Sequence, residues 1–394
     1  MNKKEFKNLC MFGGYSLILS ALCVNCSSCK HDDIIISPVV NHDVYSPGEN
    51  LTALTKVHET DYRCWTPNGG DGGRNLFFTV LDNGYTNIYR KENTIGTSMV
   101  QITGGRNKHD APSYCATTNM VFFAGKPEGN NVSDIYMVNA TQGGALTQVT
   151  NTPDSHEQYP SISRDGKWLV YEKQLCTANY KNTEIWLKNM QTNESTLLGL
   201  GRTPSFSWDG RSIVYVKYAS DDNHTYLCVV NRDGGSPTHL TDASMGIVWH
   251  PCFSPDGKHI VFQCKKQQKG DYDLYVVDRN GNGLTQLTIN SSFDGDPYWA
   301  NDGNIYFASD RGGVNLHYQI WRFRYGVMAS TPTPVVNTAT QTSVYTGTYH
   351  TVSAGETITD IARRYGVTVR DIVKWNQLTT MTITPGMKLK TSAQ

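Results

Sequence analysis

The segment His250-Pro-Cys-Phe-Ser-Pro-Asp-Gly-Lys-His-Ile-Val-Phe262 decides the fold, because its pattern recurs along the chain. The first proline of the segment recurs at positions 112, 160, 204, 251 and 297, with intervals of 48, 44, 47 and 46 residues. Asp-Gly pairs recur at 165–166, 209–210, 256–257 and 302–303. Such pairs favour tight hairpin turns, since glycine adopts positive φ without steric cost. The chain therefore contains an internal repeat of about 46 residues.

Each repeat predicts four short strands. A β-rich run follows the Asp-Gly pair, a second apolar run such as Asp273–Val277 follows it in six copies, and a short fourth run closes most units. Four strands per unit and six units predict an all-β, six-bladed β-propeller over residues 50–326. The sixth unit lacks a fourth run. We therefore expect residues 51–57, which precede the first unit, to supply that strand and close the ring.

Three phrases of the repeat resemble the propeller repeats of the TolB-like family. They are Ser-Arg-Asp-Gly-Lys at 163–167, Ser-Trp-Asp-Gly-Arg at 207–211 and Ser-Pro-Asp-Gly-Lys at 254–258. The resemblance covers residues 50–326 and implies the fold, whereas similar repeats also occur in propeller peptidases and oligosaccharide-cleaving lyases. The additional N-terminal α/β domain of TolB is not expected, because only about 20 residues separate Cys29 from the first strand.

The N-terminus has the pattern of a secretory signal peptide. Three lysines lie among the first seven residues, and an uncharged, largely apolar run follows over residues 9–24. The serines before Cys29 resemble a bacterial lipoprotein signal. This resemblance implies that residues 1–28 are removed and that Cys29 carries a lipid that anchors the chain to a membrane. A plain secretory signal or an uncleaved anchor is the alternative.

The residues after Cys29 bear on localisation. Lys30 follows the cysteine, which by resemblance to the enterobacterial sorting rule implies an outer-membrane lipoprotein that faces the periplasm. Asp32 and Asp33 leave export to the cell surface open. Residues 29–49 are expected to form a tether.

The C-terminal part predicts a linker followed by a small second domain. Residues 327–348 contain no charged side chain and are rich in threonine, serine and proline, as in linkers between domains. After residue 349, apolar residues at 358, 361, 362 and 365 define one face of a helix, and a second helix follows. Short strands flank both helices, so residues 349–391 predict a βααβ unit.

This unit resembles the LysM domain family. The phrases that carry the resemblance are Gly-Glu-Thr-Ile at 355–358, Trp-Asn-Gln-Leu at 375–378 and Ile-Thr-Pro-Gly at 383–386. The resemblance implies binding of peptidoglycan or another N-acetylglucosamine-containing glycan in a shallow groove between two loops. The implied glycan-binding residues are Gly355, Glu356, Thr357, Ile358, Thr380, Met381, Thr382 and Ile383. For Thr357 and Ile358 a helix cap or a core position is an equal alternative.

Histidines and carboxylates precede several predicted inner strands, where a propeller gathers residues near its central channel. These candidates are His109, Asp110, His156, Glu157, His250, Asp294 and Asp296. Such a cluster suits metal binding or acid–base chemistry, but loops of this kind are also polar because they are exposed. The sequence contains no nucleophile elbow and no HExxH phrase, so we predict no catalytic residues, no metal and no cofactor.

The composition excludes some classes of protein. The chain has 35 Lys+Arg and 35 Asp+Glu, and this balance argues against a nucleic-acid-binding protein. We expect a non-enzymatic envelope lipoprotein that binds peptidoglycan through its tail and presents the propeller to a protein or ligand. A glycan-active lyase or hydrolase with its site in the propeller channel is the alternative.

Overall fold

The computed structural model describes residues 51–57, 62–69, 74–92, 97–141, 144–219, 224–265, 271–313, 317–325, 349–353, 358, 361, 365, 369–378 and 383–392. They form two compact units, which are residues 51–325 and residues 349–392. The predicted signal peptide, the lipidation site Cys29, the tether and the linker lie outside the described residues. Within the described residues no helix has the length and apolar character needed to cross a membrane.

The first unit consists of six four-stranded antiparallel arrays, which we call blades 1 to 6. The strands are β1 (Thr52–Lys56), β2 (Arg63–Gly69), β3 (Asn75–Asp82), β4 (Tyr85–Glu92), β5 (Val100–Gln101), β6 (Lys108–Cys115), β7 (Met120–Lys126), β8 (Asp134–Asn139), β9 (Thr147–Gln148), β10 (Ser155–Ile162), β11 (Trp168–Leu175), β12 (Glu184–Asn189), β13 (Ser195–Leu200), β14 (Arg202–Phe206), β15 (Ser212–Tyr218), β16 (Thr225–Asn231), β17 (Thr238–His239), β18 (Ile247–Phe253), β19 (His259–Lys265), β20 (Asp273–Asp278), β21 (Thr285–Gln286), β22 (Asp294–Trp299), β23 (Asn304–Ser309) and β24 (Gln319–Arg324). Short 3₁₀ turns lie at Tyr180–Asn182 and Ala243–Met245.

Blades 1 to 5 each use four consecutive strands, beginning at β2, β6, β10, β14 and β18. One parallel bridge, between Thr86 and Lys108, joins blades 1 and 2 into a continuous sheet. The order of blade 6 is β22, β23, β24 and then β1. The prediction that the N-terminal segment closes the last blade is therefore confirmed: β1 runs antiparallel to β24, with Thr55 opposite Arg322.

The Ser-x-Asp-Gly phrase forms the hairpin between the first two strands of a blade. In blade 5, Ser254 Oγ donates to Asp256 Oδ1 at 2.7 Å and accepts from His259 N at 2.9 Å. Gly257 has a φ of +69°, which a residue with a Cβ rarely adopts. The serine and aspartate thus pair with each other and with the turn backbone, which explains why the phrase recurs with the repeat.

The core lies between adjacent blades. One apolar cluster joins Val214 and Leu227 of blade 4 to Val248, Ile260 and Phe262 of blade 5, all of them fully buried. The second and third strands of each blade are apolar because they face a neighbouring blade on both sides. Burial of this kind contributes about 25 cal/mol per Å² of apolar surface and is the main term that holds the ring together.

Hydrogen bonds between neighbouring inner strands tie the ring near its axis. Asn68 Oδ1 accepts from Tyr114 N at 2.9 Å, and Ser161 Oγ accepts from Phe206 N at 3.1 Å in the same relation two blades later. Tyr298 of blade 6 donates its hydroxyl to the carbonyl of Gly69 in blade 1. These hydrogen bonds connect blades whose inner strands do not pair as a sheet. The bond between Tyr298 and Gly69 connects the last blade to the first.

The second unit has a small core of its own. Strands β25 (Tyr349–Thr351) and β26 (Lys388–Lys390) pair antiparallel, and helix α1 spans Val369–Trp375. The buried side chains are those of Val352, Ile358, Ile361, Ile372 and Leu389. Ile358, Ile361 and Tyr365 have helical backbone, at the spacing that the sequence predicts for the first helix.

Asn376, in the Trp-Asn-Gln-Leu phrase of the tail, has a structural role. Its Nδ2 donates to Ile372 O at 2.7 Å and to Lys390 O at 3.0 Å, while its Oδ1 accepts from Lys390 N at 2.7 Å. The side chain thus ties the C-terminal end of α1 to β26. Gln377 follows with a φ of +51°, the left-handed conformation that commonly ends a helix.

Candidate functional site

One residue in the first strand of each blade has left-handed backbone conformation and stands directly before a proline. Its φ lies between +47° and +52° at all six positions, which are Thr66, Ala111, Tyr159, Thr203, His250 and Asp296. We call these six the ring residues. Residues other than glycine adopt this conformation uncommonly, because the Cβ crowds the backbone. Strained positions of this kind concentrate at sites where the surrounding structure enforces a particular geometry.

A β-bulge produces the left-handed residue. In blade 5 the pairing of β18 with β19 breaks between Trp249 and Cys252, so that His250 and Pro251 have no partner in the ladder. The other blades break at the same place. A proline is tolerated there because it has no N–H to contribute to the ladder. The bulges bring the ring residues and their prolines to a common cavity of about 100 Å³, which we call the ring chamber.

Five of the six chamber prolines belong to the proline series predicted from the repeat. The sixth, Pro67, follows Thr66 in blade 1 and was not among the predicted prolines. Pro67 stands 45 residues before Pro112, so the period of the repeat was a sufficient signal for it.

The bulges leave backbone N–H groups without a partner in the ladder, and buried or half-buried side chains accept hydrogen bonds from four of them. The bonds are Thr66 N to Asp296 Oδ2 at 3.4 Å, Ala111 N to Asp110 Oδ1 at 2.7 Å, Thr203 N to Glu172 Oε2 at 2.9 Å and Asp296 N to Gln263 Oε1 at 2.6 Å. A buried N–H without a partner is costly, by about 1–3 kcal/mol. The carboxylates around the chamber therefore have a structural role as acceptors for the strained backbone.

Polar side chains that support the ring chamber come from the second strand of every other blade. In each blade, the residue before the ring residue pairs with one residue of the second strand. In blades 1, 3 and 5 this second-strand residue is Thr79, Glu172 and Gln263, respectively. The same position holds Ala124, Val216 and Ala308 in blades 2, 4 and 6. Each polar side chain reaches the next blade along the chain. The six repeats thus alternate between a polar and an apolar side chain at this position, and each polar blade supports the apolar blade that follows it. This pattern becomes visible from the register between the strands.

His250 and Asp296 meet inside the chamber. Nδ1 of His250 lies 2.5 Å from Oδ1 of Asp296 and 3.2 Å from Oε1 of Gln263. Burial lowers the pKa of His250, but the neighbouring Asp296 and the hydrogen bonds raise it more, so the net shift is upward. The Tyr159 ring stands 5.1 Å from the imidazole. The result is a histidine–carboxylate pair in which the imidazolium form is favoured.

Asp110 is a second carboxylate beside Thr66, with its Oδ1 3.4 Å from the Thr66 hydroxyl. Its Oδ1 accepts from Trp65 Nε1 at 3.0 Å and from Thr79 Oγ1 at 2.8 Å. Burial raises the pKa of Asp110 to about 6, and the charge of Asp296 adds to this, against the lowering effect of these hydrogen bonds. The carboxyl group therefore titrates near neutral pH.

A second ion pair lies behind Thr203. Arg202 Nη2 lies 2.7 Å from Glu172 Oε1, and both side chains are almost fully buried. The guanidinium also stands 5.5 Å from the Trp249 ring. The two charges compensate each other, so this pair supports the chamber wall without changing the chamber's net charge.

The other predicted channel residues do not line the chamber. His109 is 1% exposed, and its ring meets the edge of Phe123 at 4.9 Å; burial lowers its pKa to about 4, so it is neutral at pH 7. His156 Nδ1 accepts from Ser133 N at 3.3 Å. Glu157 and Asp294 form ion pairs, with Lys173 at 3.7 Å and Arg311 at 2.5 Å. Of the seven candidates, His250 and Asp296 line the cavity, and Asp110 supports its wall.

The predicted channel residues did not include Thr66, Tyr159, Thr203, Glu172 and Gln263. The first three stand before the prolines of the repeat, and that common place was a usable signal. Glu172 and Gln263 lie inside second strands that read as ordinary β-strands, so no sequence signal pointed to them.

The chemistry that the chamber offers is acid–base and hydrogen bonding. The Cys252 thiol lies in its wall, and burial raises the pKa of this thiol to about 11, so at neutral pH it is protonated and a weak nucleophile. No three His, Cys, Asp or Glu side chains converge on a metal-binding geometry in the part of the chain that the structure describes.

In the tail, two of the eight predicted glycan-binding residues are described. Ile358 is 5% exposed and belongs to the core, and Ile383 packs partly buried against it. The other six, Gly355, Glu356, Thr357, Thr380, Met381 and Thr382, lie outside the described residues. Trp375 is partly exposed and is not a member of the core cluster.

Residues 200–382 match the family model described as the TolB beta propeller domain, PD40. The chain contains a TolB-like β-propeller domain. Two solved structures agree with it in fold. A protein described as TolB from Agrobacterium tumefaciens has 19% identity and a TM-score of 0.53, and the match covers 70% of this chain and 97% of that one. TolB from Acinetobacter baumannii has 18% identity and a TM-score of 0.54, over 62% of this chain and 59% of that one.

A further match concerns a short segment. "Probable endopeptidase p60" of Listeria monocytogenes is 41% identical over 63 residues. These residues make up 16% of this chain and 13% of that protein, so the similarity is limited to a domain-sized part of each.

Proposed function

We propose that this chain is a non-enzymatic cell-envelope lipoprotein, in which the tail binds peptidoglycan and the propeller presents a ligand- or protein-binding face. The observation that carries the proposal is the division of the chain into a closed TolB-like propeller and a separate small unit with its own core. Two attachments on one chain reinforce each other through effective concentration, so a modest affinity for glycan suffices.

Three features support glycan binding by the tail. The phrases at 355–358, 375–378 and 383–386 are similar to those of LysM domains. In the described part, the paired strands and helix α1 are held by Asn376 of the middle phrase. The partial similarity to the Listeria protein favours a LysM segment as well.

Cosedimentation with purified peptidoglycan tests the tail. The chain without residues 1–28 is expected to pellet with the sacculi, and deletion of residues 349–394 is expected to abolish this. The variant Ile372→Asp places a charge in the tail core and is expected to have the same effect, whereas Asp271→Asn on the exposed propeller surface is the matched control. Undiminished pelleting after the deletion would remove the tail from the proposal.

Labelling cells with an alkyne fatty acid tests the anchor. The wild-type chain is expected to incorporate the label, Cys29→Ala is expected to lose it, and Cys26→Ala is expected to keep it. Localisation in the outer membrane is then expected from fractionation. Label retained by Cys29→Ala would contradict the assignment of the lipid to this residue.

A second candidate is a glycan-active enzyme with the His250–Asp296 pair as acid and base, since both side chains line a cavity. Incubation with peptidoglycan or acidic oligosaccharides, with and without a divalent metal, tests it. New products that disappear in His250→Gln would favour the enzyme, and an unchanged substrate would favour the scaffold.

A further inference from the structure

A second cavity, of about 90 Å³, extends from the inner strands to the hairpins of the propeller, and we call it the hairpin cavity. At the hairpins it is lined by Arg164 and Trp208, the second residues of two Ser-x-Asp-Gly turns. The serine and aspartate hold each turn, so the residue between them is not needed for it. The cavity shares five lining residues with the ring chamber, which are Asn68, Ser161, Ser205, Cys252 and Tyr298.

Among the described residues that line the hairpin cavity, Arg164 is the one with a full charge. Its guanidinium stands 5.2 Å from the centre of the Trp208 ring, a contact that holds it in place between blades 3 and 4. Within the described part of the chain, no carboxylate forms an ion pair with Arg164. Asp165 and Asp209 do not line the cavity, and each accepts hydrogen bonds from the serine and backbone of its own turn. The donors of the guanidinium are therefore open to a ligand.

The hydrogen bonds between blades use acceptor atoms of the cavity wall and leave donors. Ser113 Oγ accepts from Ile162 N at 3.1 Å, and Ser161 Oγ accepts from Phe206 N at 3.1 Å. Asn68 Oδ1 accepts a backbone N–H of blade 2 in the same way. No acceptor among the described residues takes the hydroxyl protons of the two serines or the amide protons of Asn68. Unused donors in a wall of this kind suit a ligand that brings acceptors.

The serines and the guanidinium belong to adjoining parts of this wall. The N–H of Ile162 is bonded to Ser113, and Ser161 directly precedes Ile162. Arg164 follows two residues later, and its carbonyl accepts from Thr117 Oγ1 at 2.7 Å. This bond ties the turn of blade 3 to the end of β6, the strand that carries Ser113. A ligand in so small a cavity can therefore meet the guanidinium and the serine hydroxyls together.

We propose that the hairpin cavity binds a carboxylate group on a narrow carbon chain, with Arg164 as the counter-charge and the Ser113 and Ser161 hydroxyls as further donors. A carboxylate has one negative charge, accepts several hydrogen bonds and matches the fork of a guanidinium. Ile162 and Phe206, each 7% exposed, add apolar wall for the attached carbon chain. The proposal deepens the ligand-binding role of the propeller proposed above and rests on that part alone.

Two sources of carboxylate are distinguished by two probes. N-acetylalanine presents a chain-terminal carboxylate, and Nα-acetylglutamate methylamide presents a side-chain carboxylate. N-acetylalanine methylamide has no charge, and inorganic phosphate carries more negative charge than one guanidinium compensates. Binding is measured by NMR titration of the chain without residues 1–28. The indole N–H signal of Trp208, assigned with Trp208→Phe, reports on the site because the ring contacts Arg164.

At least one of the two carboxylates is expected to bind at pH 7.5 and to shift the Trp208 signal, whereas the uncharged probe is not. The carboxylate that binds identifies the source. Arg164→Gln is expected to weaken binding by about tenfold, since a charged hydrogen bond is lost. Arg164→Lys keeps the charge without the fork and is expected to weaken binding less. Tighter binding of phosphate than of either carboxylate would overturn the assignment to a carboxylate.

Arg211→Gln is the matched control. Arg211 is an exposed arginine at the end of the blade 4 turn and does not line the cavity, so this variant loses the same charge from a nearby turn. It is expected to change the affinity by less than about twofold, because exposed charges at a distance are screened. Equal weakening by Arg164→Gln and Arg211→Gln, or no binding of either carboxylate, would overturn the proposal. Peptidoglycan pelleting is measured on the same samples, so failure of carboxylate binding and failure of the tail's function are told apart.

Discussion

Asp110 is a half-buried carboxyl group whose charge destabilises the folded chain at neutral pH. Burial raises its pKa from 3.8 to about 6, so the folded state holds the proton more tightly than the unfolded state. Its contribution to stability therefore improves as the pH falls through 6 and is complete below about 4. A shift of this size corresponds to about 3 kcal/mol at most.

We expect Asp110→Asn to raise the melting temperature at pH 7.5, because the amide oxygen can keep the hydrogen bonds from Trp65 and Thr79 without the partly desolvated charge. The advantage over wild type is expected to disappear by pH 4. Thermal melts of both proteins from pH 4 to 8 check this. Asp271→Asn, at an exposed site, should show no such pH dependence, and a lower stability of Asp110→Asn at every pH would contradict the prediction.

Ala111 is the ring residue at which the free-energy cost of the left-handed conformation can be measured by itself, because its side chain is a single methyl group. Its φ is +52°, a conformation that costs an L-residue about 1–2 kcal/mol. Ala111→Gly removes this cost but adds unfolded-state entropy, so we expect a change between zero and about 1 kcal/mol of stabilisation.

Ala124→Gly is the matched control, because Ala124 is a buried residue of β7 in ordinary strand conformation. There the same change is expected to destabilise by about 1 kcal/mol or more. Urea unfolding of the two variants gives both values. Equal destabilisation of both would show that the ring conformation is unstrained.

At the scale of the element, β1 is the strand that closes the propeller. It completes blade 6 through antiparallel pairing with β24, and Leu54 and Leu51 pack against the core between β20 and β24. Without β1, the backbone of β24 would become an open sheet edge of the kind that promotes aggregation.

Deletion of residues 51–57 is therefore expected to lower the melting temperature of the propeller and to increase aggregation on heating. Deletion of residues 30–49, which precede the strand, is the control and should leave the melting temperature unchanged. Differential scanning calorimetry with light scattering measures both effects. An unchanged melt after removal of β1 would show that blade 6 is stable with three strands.

At the scale of the whole molecule, the two units have separate cores and are expected to unfold independently. Deletion of residues 349–394 should leave the propeller transition in calorimetry unchanged, and Ile372→Asp should remove the small transition alone. The exposed substitution Asp271→Asn serves as control. A large shift of the propeller transition after the deletion would indicate that the units stabilise each other.

The sequence alone determined the parts of the fold that depend on local pattern. The repeat period, the Asp-Gly hairpins and the missing fourth run of the last unit predicted six blades and the closing strand, because period-2 patterns and turn residues act over a few neighbours. Five chamber prolines were found in the same way.

Which polar residues meet depends on the tertiary fold and could not be predicted from the sequence. His109 and Asp110 are adjacent in sequence, yet the first packs against Phe123 and the second supports the ring chamber. The bulge at each proline turns the ring residues toward the axis, and Glu172 and Gln263 reach across to the next blade. Contacts between blades depend on strand register and ring closure, which bring together residues some 30 or more positions apart, and no local pattern encodes them.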